Sequence, residues 1–312
     1  MSRIHEALKK AEEQRATSQG GQAEAAQVVD IPASEPLAAP PLAQGVPLPA
    51  APAAPPMPSF GTAFNFDTLL ARCAPVNWSP DMKTMLFFNG GEEAYGTEEF
   101  RTLRSRLYQM REKQSLRKLL VTSALPKEGK SFVAANLAQV MVRQHGRRAL
   151  LIDADLRGAR LHQALGTAST PGLSEYLLGE VDEFAVLQRG PMENLFFIPS
   201  GRTVQSPTEL VANGRLKFLL GRLEALFDWI VIDSPPAVPV SDAGLLANYC
   251  DGVLMVVRSN ATPFDIARKA RQEFRADHIV GVVLNGIAAG SSYTQYYYSA
   301  YGQPNGKGQA AR

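Results

Sequence analysis

A chain of 312 residues with 32 basic against 30 acidic side chains has a net charge of +2, which excludes the chain-wide basic footprint of a nucleic-acid binder. Its two cysteines, Cys73 and Cys250, stand far apart and outside any CxxC, so neither a disulfide framework nor a zinc site is expected. No apolar run reaches the roughly 18–20 residues that cross a bilayer, and Met1 to Arg15 has no signal-peptide core. The expectation is a soluble, cytoplasmic protein.

In chain order, Ser2 to Gln14 reads as a short amphipathic helix capped by Ser2, with Ile4, Leu8 and Ala11 along one side. Residues 1–15 form this first unit. Of 22 prolines, ten fall between Ile31 and Phe60. So little apolar bulk there cannot offset the entropy of ordering, and residues 16–84 are expected to be a largely disordered, semi-rigid Pro/Ala linker. One folded domain is placed at 85–290 and a tail at 291–312.

Within the domain, Thr97 is the expected cap of a helix from Glu98 to about Gln114, with Phe100, Leu103, Leu107 and Met110 as its apolar stripe. Strands follow at Lys118–Ser123, Ala149–Ile152, Leu195–Ile198, Trp229–Ile232, Gly252–Val257 and Ile279–Leu284. Helical stretches lie near Ser131–Arg143, Ser206–Leu226, Asp242–Tyr249 and Pro263–Phe274. Short continuous Val/Ile/Leu strands alternating with helices predict an α/β fold, a doubly wound and mostly parallel sheet whose ligand sits at the carboxyl ends of the strands.

The first strand runs into Ala124-Leu125-Pro126-Lys127-Glu128-Gly129-Lys130-Ser131-Phe132 and then a helix. This is a P-loop with Ala124 in place of the first glycine. Gly129 lets the backbone approach phosphate at a helix N-terminus. Lys130 can bridge the β- and γ-phosphates of ATP, and the Ser131 hydroxyl can ligate Mg²⁺. Pro126 to Phe132 are the candidate nucleotide-binding residues. Asp153 and Asp155 close the second strand two residues apart, so they face the same side while the chain stays extended. Asp233 closes the strand Trp229–Ile232. With the P-loop, these carboxylates point to metal support and acid–base work.

Five of the nine tyrosines, Tyr293, Tyr296, Tyr297, Tyr298 and Tyr301, cluster in a polar terminal segment, where core packing would not leave them. A phenol of pKa about 10 benefits from a carboxylate base when it attacks phosphorus. Protein-tyrosine phosphorylation is therefore favoured over simple hydrolysis.

From about Glu98 to the end, the chain resembles the bacterial tyrosine kinases of capsular and exopolysaccharide synthesis. The resemblance is carried by the Ala124–Ser131 loop, Asp153 and Asp155, the Asp233-Ser-Pro-Pro strand end and the tyrosine cluster. Thr170-Pro171-Gly172-Leu173, Ser206-Pro207-Thr208-Glu209-Leu210 and Gly281-Val282-Val283-Leu284-Asn285 also look like family segments. The start Ser2-Arg3-Ile4-His5-Glu6-Ala7-Leu8 is similar to the arm of an exosortase-associated branch.

The resemblance implies a P-loop NTPase of the deviant-Walker, ParA/MinD-like kind that phosphorylates its own tail. ATP and Mg²⁺ would be its cofactors. Lys130, Asp153, Asp155 and Asp233 would be catalytic, with Ser131, Asp153 and Asp233 holding the metal and Asp155 activating the tyrosine. Glu98-x-x-Arg101-x-x-Arg104 matches the family's oligomerisation motif, which implies a homo-oligomeric ring presenting tails to neighbouring sites. A separate membrane-bound chain-length protein as activator, recruitment to the inner face of the membrane and a cognate tyrosine phosphatase are also implied.

Two departures stand out. Lys127 occupies a position where the family usually has glycine, and Gly158-Ala159 follows Arg157 where Arg-Pro is common. Two other readings remain. One is a ParA/MinD-like ATPase switch, whose extra loop lysine would fall at Leu125. The other is a nucleotide-binding scaffold that transfers nothing.

Overall fold

The computed structural model describes residues 65–73, 75–88 and 96–287. The expected N-terminal helix, most of the Ala/Pro spacer and the tyrosine tail lie outside the described residues. The core is a seven-stranded sheet of β1 (Lys118–Ser123), β2 (Ala149–Asp153), β3 (Gln188–Arg189), β4 (Leu195–Ile198), β5 (Trp229–Asp233), β6 (Gly252–Arg258) and β7 (Ile279–Asn285). Its order is β3-β4-β2-β5-β1-β6-β7. Every pairing is parallel except β3 with β4.

The strand sequences dictate this arrangement because both faces of the sheet are covered. Leu120, Leu150, Ile152, Ile230 and Ile232 enter the apolar layer on one face. The alternate residues Leu119, Val121, Leu151, Trp229 and Val231 enter the layer on the other. Around the sheet lie α1 (Phe66–Arg72), α2 (Thr97–Arg111), α3 (Lys130–Val142), α4 (Leu161–Leu165), α5 (Leu173–Leu178), α6 (Glu183–Val186), α7 (Pro207–Ala212), α8 (Arg215–Leu223), α9 (Asp242–Ala247) and α10 (Phe264–Gln272).

The central helix α3 has Val133 to Met141 buried without interruption. Such a helix needs polar staples where its neighbours have unpaired backbone groups. Asn136 supplies one: its side-chain oxygen accepts the Leu86 N–H at 2.8 Å, and its amide donates to the Thr84 and Phe132 carbonyls. Gln139 accepts from Phe87 N–H at 3.2 Å one turn later. These contacts bind the 84–88 segment to α3.

The packed chain therefore begins earlier than the expected boundary at 85. Asn65 caps α1 by accepting the Thr68 N–H at 2.8 Å. Leu69 and Cys73 are buried in one layer, and Trp78, Met85 and Phe87 in the other. The helical spacing of Phe66, Leu69 and Leu70 was hidden beside a long Pro/Ala tract. The single helical stretch expected over Ser206–Leu226 is two helices. Gly214, at φ +82°, turns the chain between α7 and α8. Thr97 is the first residue of α2 and the left-handed Gly96 occupies the cap position.

The Asn136→Ala substitution leaves the part-buried Leu86 N–H and Thr84 C=O without the Asn136 hydrogen bonds. It is expected to cost about 2 to 4 kcal/mol, read as a lower urea midpoint at unchanged m-value.

Candidate functional site

The loop from Ala124 to Gly129 joins β1, an interior strand between β5 and β6, to the first residue of α3. Gly129 has φ +97°, and a Cβ there would collide with the Asn285 carboxamide, so only glycine fits. The free N–H groups at the start of α3 make this turn an anion site. Lys127 also lies in the left-handed region, at φ +67°. Glycine would adopt that conformation without steric cost. Pro126 and the Lys127 side chain are exposed, whereas Glu128 is buried. Glu128 Oε2 accepts the Leu125 N–H at 2.7 Å and closes the loop on itself.

Three carboxylates converge on the Lys130 side of this loop. The register of β2 against β5 sets Asp153 directly beside Asp233. Asp155 Oδ2 is 2.8 Å from Lys130 Nζ, and Asp233 Oδ1 is 3.8 Å from it. Lys130 Nζ also lies 3.3 Å from the Ser131 hydroxyl. Burial works against the Lys130 charge, but Asp233 and then Asp155 outweigh it and raise the ammonium pKa. Lys130 is therefore firmly cationic.

The carboxylates differ in how they are satisfied. Asp153 accepts the Asp155 N–H through Oδ1 at 3.3 Å and the Leu161 N–H through Oδ2 at 3.2 Å. Its carboxyl thus organises the turn after β2, and burial followed by the charge of Asp233 pushes its pKa up. Asp155 accepts the Gly158 N–H at 2.9 Å through the oxygen that does not face Lys130. Asp233 is buried, which raises its pKa to about 6 although Lys130 and the Ser131 hydroxyl pull it down. Its Oδ1 is enclosed without a hydrogen-bond partner.

A buried carboxylate oxygen that makes no hydrogen bond, 3.8 Å from the Lys130 ammonium and beside the Ser131 hydroxyl, fits a hard divalent cation that takes its other ligands from phosphate and water. Among the described residues, no group of three His, Cys, Asp or Glu side chains forms a ready-made metal cage. Asp233 and Ser131 are the better-suited pair for Mg²⁺. Asp153 is the less available donor, because both its oxygens are engaged by backbone.

The remaining expected residues lie elsewhere. The Phe132 ring packs edge-on against Phe100 at 5.8 Å and belongs to the α2–α3 contact. Glu98 and Arg101 pair with each other on the exposed side of α2. Arg104 donates to the Val140 carbonyl at 3.0 Å. That anchor is ten residues along α3 from Lys130, about 15 Å at the helical rise. The five tail tyrosines are outside the described residues.

Sequence reasoning missed two groups that hold the site. Arg157 binds Asp242 at 2.6 Å and the Thr208 hydroxyl at 2.8 Å, tying the Asp155 turn to α7 and α9. Arg258, Thr262 and Asn285 hold the phosphate loop from the ends of β6 and β7. Asn285 had a usable signal, since it ends an apolar strand just as Asp153 and Asp233 do.

No family model matches the sequence. The chain is 33% identical over 208 residues to the tyrosine-protein kinase YwqD of Bacillus subtilis (strain 168), covering 66% of this chain and 87% of that one. It is 36% identical over 214 residues to the putative tyrosine-protein kinase EpsB of Ralstonia nicotianae, of which it spans 28%. Among solved structures, the kinase domain of the Escherichia coli tyrosine kinase ETK superposes with a TM-score of 0.61 at 29% identity, covering 67% of this chain and 82% of that one.

The cluster sets three buried carboxylates against one ammonium, so removing one charge should relieve the fold. Asp233 rises on folding from 3.8 to about 6. A raised carboxylate loses stability as pH climbs through that window. Asp233→Asn is therefore expected to be more stable than the parent by about 1 to 2 kcal/mol above the window. The advantage should vanish below it, as thermal unfolding across pH would record.

Proposed function

The chain belongs to the bacterial tyrosine kinases, and from that premise we propose that it transfers the γ-phosphoryl group of ATP to tyrosines of its own C-terminal segment, in trans between subunits. The protein is an ATP-dependent protein-tyrosine kinase on a P-loop fold. The observation that carries the finer reading is the Lys130 ammonium, held at 2.8 Å by Asp155 beside Asp233 and Ser131 at the phosphate loop.

In this reading the loop N–H groups and Lys130 bind and orient the triphosphate. The phosphates compete with Asp155 for the Lys130 ammonium, and an Asp155 carboxylate released from that pair is placed to take the phenol proton. The tyrosine oxygen then bonds to the γ-phosphorus as the bond to the β,γ-bridging oxygen breaks, and ADP leaves with the electron pair. Mg²⁺, held by Ser131 and Asp233, would supply charge neutralisation on the phosphates. Asp153 acts through the turn it organises, by fixing the backbone of Asp155 and Leu161.

The proposed acceptors are Tyr293, Tyr296, Tyr297, Tyr298 and Tyr301, which follow β7 in the sequence. Glu98 and Arg101, paired on the exposed side of α2, are proposed as contacts between subunits of a ring, with Arg104 anchoring α2 to its own domain. No helix among the described residues is long and apolar enough to cross a membrane. Recruitment to the membrane is assigned to a chain-length protein that also activates the kinase, and resetting of the tail to a tyrosine phosphatase. A role in exopolysaccharide synthesis or export belongs to the same proposal, and the relatives' names support its tyrosine-kinase part.

A mixing experiment tests transfer in trans. The acceptor carries Lys130→Met and an intact tail, and the donor has the five tail tyrosines replaced by phenylalanine. With ATP and Mg²⁺, mass spectrometry is expected to find phosphotyrosine on the acceptor tail only when both chains are present. An acceptor that stays unmodified beside a donor that binds ATP would contradict the proposal.

A further inference from the structure

The phosphate loop has a non-glycine residue in a left-handed conformation, two side chains from distant strand ends grip the backbone around it, and a third holds the Glu128 side chain. Lys127, at φ +67°, sits where L side chains are disfavoured. Its carbonyl accepts a hydrogen bond at 3.0 Å from Arg258 Nη1, at the end of β6. The next carbonyl, that of Glu128, accepts from Asn285 Nδ2 at 2.9 Å, at the end of β7.

The buried Glu128 carboxylate completes the grip. One oxygen accepts the Leu125 N–H at 2.7 Å. The other accepts the Thr262 hydroxyl, from the loop between β6 and α10. Thr262 Oγ1 in turn accepts the Arg258 N–H at 3.2 Å, and Ser259 N–H donates to the Asn285 carbonyl at 2.8 Å. The phosphate loop, the β6–α10 loop and the end of β7 thus form one hydrogen-bonded unit.

We propose that Arg258, with Thr262 and Asn285, is a positioning residue that holds Lys127 in its left-handed conformation and so keeps the loop in phosphate-binding form. A glycine at 127 adopts that geometry freely. Lysine does not, and left to itself it would draw the loop toward negative φ and turn the 127–128 carbonyls and neighbouring N–H groups out of register. Arg258 offsets that tendency from outside the nucleotide pocket. The inference rests on the nucleotide site of the proposed function, and it makes ATP affinity depend on strand ends that carry no catalytic group. The end of β7, which precedes the tyrosine segment in the sequence, is part of this unit with the phosphate loop.

A double-mutant cycle read by titration with a fluorescent ATP analogue tests it, supported by KM and kcat for ATP. Arg258 is exposed, and a thermal melt of each variant establishes that it folds. In the natural background Arg258→Ala is expected to weaken ATP binding about tenfold, with the loss in KM rather than kcat. Arg258→Lys, which keeps one donor, should recover part of the loss. In a Lys127→Gly background Arg258→Ala should cost about twofold or less, because the strain it offsets is gone.

Equal losses in both backgrounds, or none in either, would overturn the inference. Lys130→Met separates this from the underlying reading. If it abolishes binding while the cycle is additive, only the Arg258 role fails. If Lys130→Met binds ATP as the parent does, the nucleotide site itself is misplaced.

Discussion

One ammonium among buried carboxylates governs this molecule. Lys130 Nζ is within 4 Å of Asp155 and Asp233, with Asp153 in register beside Asp233. Burying that much negative charge against a single cation is costly unless the surplus is protonated, hydrogen-bonded or met by a ligand. The fold does some of each. Asp153 is satisfied by backbone N–H groups, Asp155 by Lys130 and Gly158 N–H, and Asp233 keeps one oxygen without a hydrogen bond, 3.8 Å from the Lys130 ammonium. The unmet part of the cluster faces the phosphate loop, where a nucleotide and a divalent cation would meet it.

The rest of the architecture serves to hold that cluster in place. The interior position of β1 lets its loop receive side chains from β2 and β5 on one side and from β6 and β7 on the other. Helix α3, buried along its middle, is the rigid base on which Lys130 and Ser131 stand, and the Asn136 and Gln139 contacts lock it to the 84–88 segment. Arg157, on the turn after β2, ties that turn to Asp242 of α9 with a charge-assisted hydrogen bond, and Arg258 reaches the phosphate loop from the end of β6 with another. Local strain at Lys127 and surplus charge at Asp233 are features that a fold selected for stability alone would discard.

Much of this was legible in the residues. The six long strands appear within a residue of where the Val/Ile/Leu runs put them, because a sheet covered on both faces leaves no ambiguity of period. Lys130, Asp153, Asp155 and Asp233 could be grouped since each closes an apolar strand or opens a helix at one edge of a parallel sheet. What escaped was of three kinds. Phe66 to Arg72 was masked by the neighbouring Pro/Ala composition, although Asn65 and the Phe66/Leu69 spacing were cues. The break at Gly214 lay inside a continuous helical period. Arg157, Arg258 and Thr262 hold the site through contacts across 51 to 134 positions of sequence, and no local pattern encodes those. Phe132, by contrast, was drawn into the site by its neighbours in sequence, whereas its ring faces Phe100.

The proposal that Asp155 alternates between holding Lys130 and accepting the phenol proton is the centre of this account, and an Asp155→Asn chain tests it most directly. ATP binding and tail phosphotyrosine are measured on the same preparation. The account predicts ATP affinity within a few-fold of the parent and phosphotyrosine formation slower by about 10²- to 10⁴-fold. Phosphotyrosine formation at the parental rate in Asp155→Asn would contradict it.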